Sequence, residues 1–100
     1  NHSGYYYIIQ EMELNGGYCD LTMIPDLTRF PEVAHAYLLE LKYLKVGDTD
    51  EEGMKALEEA KAQLDQYARD ARLPQMMSGK PIHKIAIIYK GSELWKVEEC

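Results

Sequence analysis

The sequence predicts an α/β fold with a mixed β-sheet and the element order β-β-β-α-β-β. Three observations predict it: several short stretches rich in Tyr and Ile, a glycine pair between the first two of them, and one long segment with helical spacing of its apolar residues. The chain has 100 residues, and a single core usually takes about 100 to 150 residues. We therefore expect residues 1–100 to form one domain.

The first two strands are predicted to form a hairpin. In residues 5–14, Ile8, Met12 and Leu14 share one parity, while Glu11 and Glu13 share the other, which is typical of a strand with one solvated face. Residues 15–17, Asn-Gly-Gly, supply the positive φ angles that a tight hairpin needs. A second strand is then expected over residues 18–24.

The third strand, over residues 36–44, is predicted to lie at the centre of the sheet. It is apolar at both parities, interrupted only by Glu40 and Lys42. This pattern is typical of a strand that is covered on both faces.

One long helix is predicted over residues 50–72. Thr49 and Glu52 have the spacing of a capping box, so they mark its beginning. A stripe of apolar residues at three- and four-residue spacing is expected to face the sheet. The stripe consists of Leu57, Ala60, Leu64, Tyr67 and Ala71. Pro74 ends the helix, and residues 74–81 are predicted to be a flexible connection.

The last two strands are predicted over residues 82–89 and 94–97, with a turn at residues 90–93 between them. A helix that joins two strands of one sheet is a crossover connection. We therefore expect the fourth strand to run parallel to the third.

Composition and charge narrow the classes of function. Seventeen acidic and eleven basic side chains give a net charge of -6, so the chain as a whole repels polyanions and any contact with nucleic acid has to be local or assisted by a metal. No apolar run approaches the roughly 18 residues that cross a bilayer, so we predict no membrane association. Cys19 and Cys100 are the only cysteines, which argues against a disulfide framework and favours the cytoplasm. A chain that begins at Asn1 rather than Met suggests a domain taken from a longer protein.

Glu40 and Lys42 are the most informative residues of the sequence. They lie two positions apart on a strand, so both side chains leave the same face. Burying two charges in a strand of Leu and Tyr costs several kcal/mol per ion unless each charge has a partner. Taken alone, the pair fits an internal ion pair or a solvated strand end as well as it fits a functional site.

Asp20 favours the functional interpretation, because it is another acid in an apolar strand. If the second and third strands are neighbours, Asp20 and Glu40 lie close together. Two carboxylates at short range repel each other unless a cation or a shared proton lies between them, and oxygen ligands suit Mg²⁺ or Mn²⁺. The backbone carbonyl of Leu41 is a candidate third ligand. Lys42 beside the metal would orient an attacking water.

Other candidate ligands are weaker. His2, His35 and His83 are scattered along the sequence, so we expect surface or capping histidines rather than a metal site. The acidic run over residues 48–52 lacks the spacing of a calcium loop and is expected to stabilise the start of the helix.

Three motifs together resemble the PD-(D/E)XK nuclease superfamily: Gly17-x-x-Asp20 on one strand, Glu40-Leu41-Lys42 on the next, and Gln63-x-x-x-Tyr67 on the following helix. Within that superfamily, the chain resembles the nuclease-like domain at the C-terminus of bacterial proteins whose N-terminal part is an AAA-type ATPase. The resemblance covers residues 16–95. It implies a restriction-endonuclease-like core, which here lacks its first helix.

The resemblance also implies roles for the motif residues. Asp20 and Glu40 correspond to metal ligands for Mg²⁺ or Mn²⁺, and Lys42 to the catalytic lysine. Gln63 and Tyr67 would steady the site or bind the nucleic-acid strand. The resemblance also implies two partners, DNA and the ATPase domain of the parent chain.

The sequence therefore favours a metal-dependent nuclease that hydrolyses DNA phosphodiester bonds with a metal-activated water. The alternative is a catalytically inactive interaction module that keeps the nuclease fold and serves an attached ATPase domain. An ordinary α/β domain with an internal ion pair between Glu40 and Lys42 is a third interpretation.

Overall fold

Six strands form one mixed sheet in which neighbours in the sequence are neighbours in space, in the order β1-β2-β3-β4-β5-β6. The computed structural model describes residues 2–100, so Asn1 and the side chain of His2, both considered above, lie outside the described part. The strands are β1 (His2–Ser3), β2 (Tyr6–Leu14), β3 (Gly17–Pro25), β4 (Ala36–Leu44), β5 (Ile82–Lys90) and β6 (Glu93–Glu99). Two helices, α1 (Asp50–Ala68) and α2 (Leu73–Met76), lie between β4 and β5. The predicted α/β class and the order β-β-β-α-β-β are confirmed, with the two-residue β1 as an addition.

The predicted hairpin joins β2 to β3. The two strands pair antiparallel, and the turn is made by Asn15 and Gly16, both with positive φ (49° and 85°). Asn and Gly are the residues that adopt this conformation at least cost, so the local sequence decides the position of the turn.

The crossover through α1 makes β5 parallel to β4, as predicted, while the other neighbouring strands are antiparallel. The capping box of Thr49 and Glu52 begins α1, again as predicted. The helix packs mainly against β5 and β4 through its apolar stripe. Of the predicted stripe, Leu57, Ala60, Leu64 and Tyr67 are buried, together with Gly53. The expectation that Ala71 faces the sheet is wrong, because Ala71 lies beyond the end of α1 and is exposed. Neither helix of the described chain is long and apolar enough to cross a membrane.

The predicted end of the helix at residue 72 is wrong, because α1 ends at Ala68. The next residues are held by the hairpin instead of continuing the helix: Asp70 accepts a hydrogen bond from the Asn15 amide (2.8 Å), and the Arg72 guanidinium donates to the Glu13 carbonyl (2.6 Å). The flexible connection predicted from residue 74 is also wrong at its start, since residues 73–76 form α2. Proline is tolerated in the first turn of a helix, so Pro74 does not prevent it.

The expectation that β4 is covered on both faces is also wrong. Ala36, Leu38 and Glu40 are buried on the face that α1 covers. The opposite face has no helix among the described residues, and Tyr43 at its end is 71% exposed. The apolar side chains on one face of β4 therefore belong to the core under α1, whereas those on the other face are partly exposed to solvent.

Candidate metal centre

The ladder between β3 and β4 opens at Asp20 and Glu40. Backbone pairing ends at Leu21 and Leu39, and Asp20 and Glu40 would form the next pair in the same register. Side chains replace the backbone bonds there: the Leu41 amide donates to Asp20 Oδ2 (2.8 Å), and the Asp20 amide donates to Glu40 Oε1 (3.3 Å). Both carboxylates therefore lie between the two strands, where the backbone ladder is interrupted. The sequence predicted that the two acids lie close together, but not that the ladder opens at them.

A local distortion of β2 accompanies this opening. The β2–β3 register pairs Gln10 with Leu21 and Met12 with Cys19, and between these pairs Glu11 stands opposite Asp20 without a ladder bond. Glu11 has φ 53°, a conformation that is uncommon for residues other than glycine. Such strain persists only where the surrounding structure enforces it, and it is frequent at functional sites.

The burial of Glu40 gives it unusual acid–base properties. Its side chain is only 5% exposed. Burial, and secondly the negative charge of Asp20, raise the pKa of Glu40 to about 7. Glu40 without a cation is therefore partly protonated near neutral pH, and a divalent cation between the two acids would favour its ionised form.

Lys42 lies on the same strand face as Glu40, but its direct partner is elsewhere. Its Nζ is 3.0 Å from Oε1 of Glu59 on α1. The internal ion pair between Glu40 and Lys42 is thus not the arrangement observed, although the charge of Lys42 lowers the pKa of Glu40 in part. Sequence reasoning missed Glu59. Its position four residues before Gln63, on the same helix face, was the available signal.

Gln63 and Tyr67 extend this helix face towards the carboxylates. Tyr67 is 3% exposed. Burial, followed by the nearby charges of Glu40, Cys19, Asp20 and Glu11, raises the pKa of Tyr67 to about 12. Gln63 Oε1 is buried and has no hydrogen-bond partner among the described residues. The third sequence motif thus faces the same region as the first two.

Gly17, which begins the first motif, makes room for Tyr67. A Cβ atom built on Gly17 would lie 2.7 Å from Cε1 of Tyr67, which is closer than real Cβ contacts. The glycine therefore allows the hairpin to lie directly against the tyrosine ring.

The donor set fits a hard divalent cation. Asp20 and Glu40 supply carboxylate oxygens, and the Leu41 carbonyl faces β3 because both backbone groups of a residue in a strand point to the same neighbour. In the described part of the chain, no three side chains of the types His, Cys, Asp or Glu converge on one point. Mg²⁺ usually binds one or two carboxylates and keeps several waters, so it suits this small set better than a metal that needs a full protein cage.

The two glutamates of β2 have different surroundings. Glu11 lines a groove of about 540 Å³ together with Asp20. Glu13 accepts a hydrogen bond from the Gly16 amide (3.1 Å) and lies 3.6 Å from Arg72. Of these two glutamates, only Glu11 therefore lies beside Asp20.

Two histidines, His35 and His83, form a cluster that their separation in the sequence concealed. His83 Nε2 lies 2.8 Å from His35 Nδ1, and His83 Nδ1 lies 2.6 Å from Oε2 of Glu99. Tyr37 stacks on the His83 ring. His35 precedes β4, whereas Lys42 is near its end, so the cluster is separate from the carboxylate centre. The acidic run lies at the start of α1, as expected, with residues 50–52 in its first turn.

The comparisons with known proteins agree with this geometry. A family model described as the PD-(D/E)XK nuclease superfamily matches residues 2–99, nearly the whole chain. The chain therefore belongs to the PD-(D/E)XK nuclease superfamily. Members of this superfamily usually use divalent metals. Searches of curated proteins and of solved structures found no match. The family match does not bear on an attached ATPase domain.

Proposed function

We propose that this domain is a metal-dependent nuclease that hydrolyses DNA phosphodiester bonds. The observation that carries the proposal is the pair of carboxylates, Asp20 and Glu40, in the opening between β3 and β4, with Lys42 on the same strand. The superfamily match supports a nuclease-like fold and suggests DNA as the substrate.

Asp20, Glu40 and the Leu41 carbonyl would hold Mg²⁺ or Mn²⁺. The metal, when bound, lowers the pKa of a coordinated water and offsets the charge that grows on the phosphate. The protein positions the reactants: the water oxygen bonds to phosphorus as the bond from phosphorus to the leaving oxygen breaks, the attacking water loses a proton to the solvent, and the leaving oxygen takes up a proton from the solvent. Lys42 would leave Glu59 to orient the water, because its ammonium group lies on the face of Glu40.

Gln63 and Tyr67 would steady the centre or the bound nucleic-acid strand. A buried amide oxygen without a partner is costly in the absence of a ligand. Gln63 Oε1 is such an oxygen, which supports a role in which this atom meets a water or a substrate group. Tyr67 would act through its hydroxyl, near the carboxylates.

A second candidate function is an inactive nuclease-fold module that serves an ATPase domain of the same parent chain. The observation in its favour is the ion pair between Lys42 and Glu59, which occupies the lysine that the reaction needs. In either case we place the protein in the cytoplasm of a bacterium. The two cysteines are free, and Cys19 is buried, which is consistent with a reducing compartment.

Cleavage of single- and double-stranded DNA in Mg²⁺ or Mn²⁺ tests the proposal. We expect Asp20→Ala and Lys42→Ala to lower the rate at least about 100-fold, because each removes a group that acts in the transition state. Glu51→Ala and Lys55→Ala are controls on the exposed side of α1 and should keep the rate.

Equal cleavage by the wild type and both site variants would contradict the assignment. A folded protein that neither cleaves DNA nor binds millimolar Mg²⁺ or Mn²⁺ in calorimetry would instead favour the interaction module.

A further inference from the structure

The face of the sheet opposite α1, which we call the open face, carries a broad set of apolar side chains. β4 and β5 direct alternate residues to it, because the residues between them, such as Leu38 and Ile88, are buried under α1. No helix of the described residues covers the open face. Its side chains on these two strands are only partly buried, and Tyr43 is 71% exposed. A contiguous apolar surface of this kind is typical of an interaction site.

The lysines of the strands around it are directed to the other face. β4, β5 and β6 contain four lysines, and each of them contacts a residue of α1. On the open face, the acids that line the groove, Glu11 and Asp20, belong to β2 and β3. The part that β4 and β5 form therefore has one titratable group besides its tyrosines, His83. Both of its ring nitrogens are hydrogen-bonded, to His35 and Glu99.

The pattern of the open face is nearly symmetric about its middle. In the parallel register of β4 and β5, Tyr37 pairs with His83 at one end, and Tyr43 pairs with Tyr89 at the other. Each pair is stacked, with ring centroids 5.2 Å and 5.4 Å apart. An aromatic pair therefore stands at each end of an aliphatic centre. The residues of this aliphatic centre are Leu39, Leu41, Ile85 and Ile87.

Such a face is complementary to itself. A twofold axis that crosses the strands between Leu39 and Leu41 turns a second copy over, so that each aromatic pair meets the partner's other pair and the two aliphatic centres meet. This is the aligned packing of two sheets about 10 Å apart. A partner of another kind gains nothing from this symmetry.

The open face is also large enough for a stable contact. The strands β3 to β6, of up to nine residues, cover about 20 by 30 Å, or roughly 600 Å². A specific interface buries about 600 to 1,000 Å² on each partner. The flat area reaches the lower limit, and side chains that project from the sheet add to it.

We propose that this domain forms a homodimer through the open face, with the twofold axis crossing β4 and β5 between Leu39 and Leu41. The proposal does not depend on the proposed nuclease function. Each copy has a net charge of -6, so charge opposes association and apolar contact drives it. The dimer should therefore become tighter as salt screens the repulsion.

Sedimentation velocity of the full chain in EDTA, from micromolar to submillimolar concentration, tests the proposal. We expect the mass of two chains at the upper end. Ile87→Glu should weaken association at least about 10-fold, because it brings two carboxylates together near the axis. Val46→Glu is the matched control, since Val46 is 78% exposed but lies beside Trp95, which packs on α1. An equimolar mixture of Ile87→Glu and Ile87→Lys should associate more tightly than either variant alone.

Methyl resonances of the wild type locate the contact without any substitution. On dilution, those of the aliphatic centre should shift, whereas those of Leu57 and Leu64, in the core under α1, should stay. Three outcomes would overturn the proposal: a wild type that is monomeric at every concentration, equal association of the wild type and folded Ile87→Glu, or dilution shifts confined to another surface.

Discussion

At the scale of single residues, the main feature is the close approach of two acids in a buried position. Glu40 is almost fully buried, and Asp20 adds a negative charge beside it. The hydrogen bonds to the amides of Leu41 and Asp20 hold the two side chains in the opening of the sheet. The arrangement is costly for the metal-free protein and favourable for a protein that binds a cation.

The raised pKa of Glu40 predicts a pH-dependent stability of the metal-free domain. The folded pKa of about 7 exceeds the ordinary 4.5 of a glutamate, so the folded state holds the proton more tightly than the unfolded state between these values. The stability contributed by this group is fully present below about pH 4.5 and is lost as the pH rises through about 7. Glu40→Gln removes this titration. Its effect on the free energy of unfolding of the metal-free domain should therefore be more stabilising at pH 8 than at pH 5, by about 1 to 3 kcal/mol.

Urea unfolding in EDTA at pH 5 and pH 8 measures this difference. Glu59→Gln is the control, since Glu59 is largely exposed and its removal should leave the pH dependence nearly unchanged. Hydrogen bonds from Arg72 lower the pKa of Asp70, so Asp70 titrates below pH 5 and does not contribute to the difference between pH 5 and pH 8. An identical pH dependence of the wild type and Glu40→Gln would show that Glu40 does not titrate as described.

The sequence made the acids and the lysine predictable, but not every group around them. Asp20, Glu40 and Lys42 stand out because charges in apolar strands are unusual. Glu59 lies on an otherwise polar helix face, where a glutamate is ordinary, and its role as partner of Lys42 depends on the packing of α1. The strained backbone of Glu11 depends on pairing with β3 and leaves no mark in the local sequence.

At the scale of elements, the hairpin of β2 and β3 and the helix α1 define the centre together. The hairpin tip is hydrogen-bonded to the end of the helix. The side-chain amide of Asn15 donates to the backbone carbonyl of Gln66 (2.8 Å), and the side-chain amide of Gln66 donates to the backbone carbonyl of Asn15 (2.9 Å). These contacts join residues about fifty positions apart. They explain why the end of α1 was not predictable from local propensity.

Gly17→Ala tests this junction. The added methyl group meets the Tyr67 ring at 2.7 Å, so we expect the hairpin to shift and the domain to lose about 1 to 3 kcal/mol of unfolding free energy. Gly47→Ala is the matched control, because a Cβ atom at Gly47 meets nothing within 4 Å. Its effect should stay within about 1 kcal/mol. Equal effects of both substitutions in urea unfolding would contradict the close packing of Gly17 on Tyr67.

At the scale of the whole molecule, one helical layer covers one face of the sheet. The domain measures 46 × 26 × 19 Å, which is thin because the other face has no helix among the described residues. The order of strands and helix along the chain, and the parallel pairing of β4 with β5, were predictable from the spacing of apolar residues and from the single long helix. The two-sided burial predicted for β4 failed because apolarity alone does not distinguish a covered face from an exposed one, such as the face that carries Tyr43.

The position of a metal ion tests the central claim most directly. Crystals of the domain soaked in Mn²⁺ should show an anomalous peak between the carboxylates of Asp20 and Glu40 and close to the Leu41 carbonyl. The peak should disappear in Asp20→Asn. A well-ordered structure at saturating Mn²⁺ with no peak between these groups, or with a peak only at the His35–His83 pair, would contradict the proposed centre.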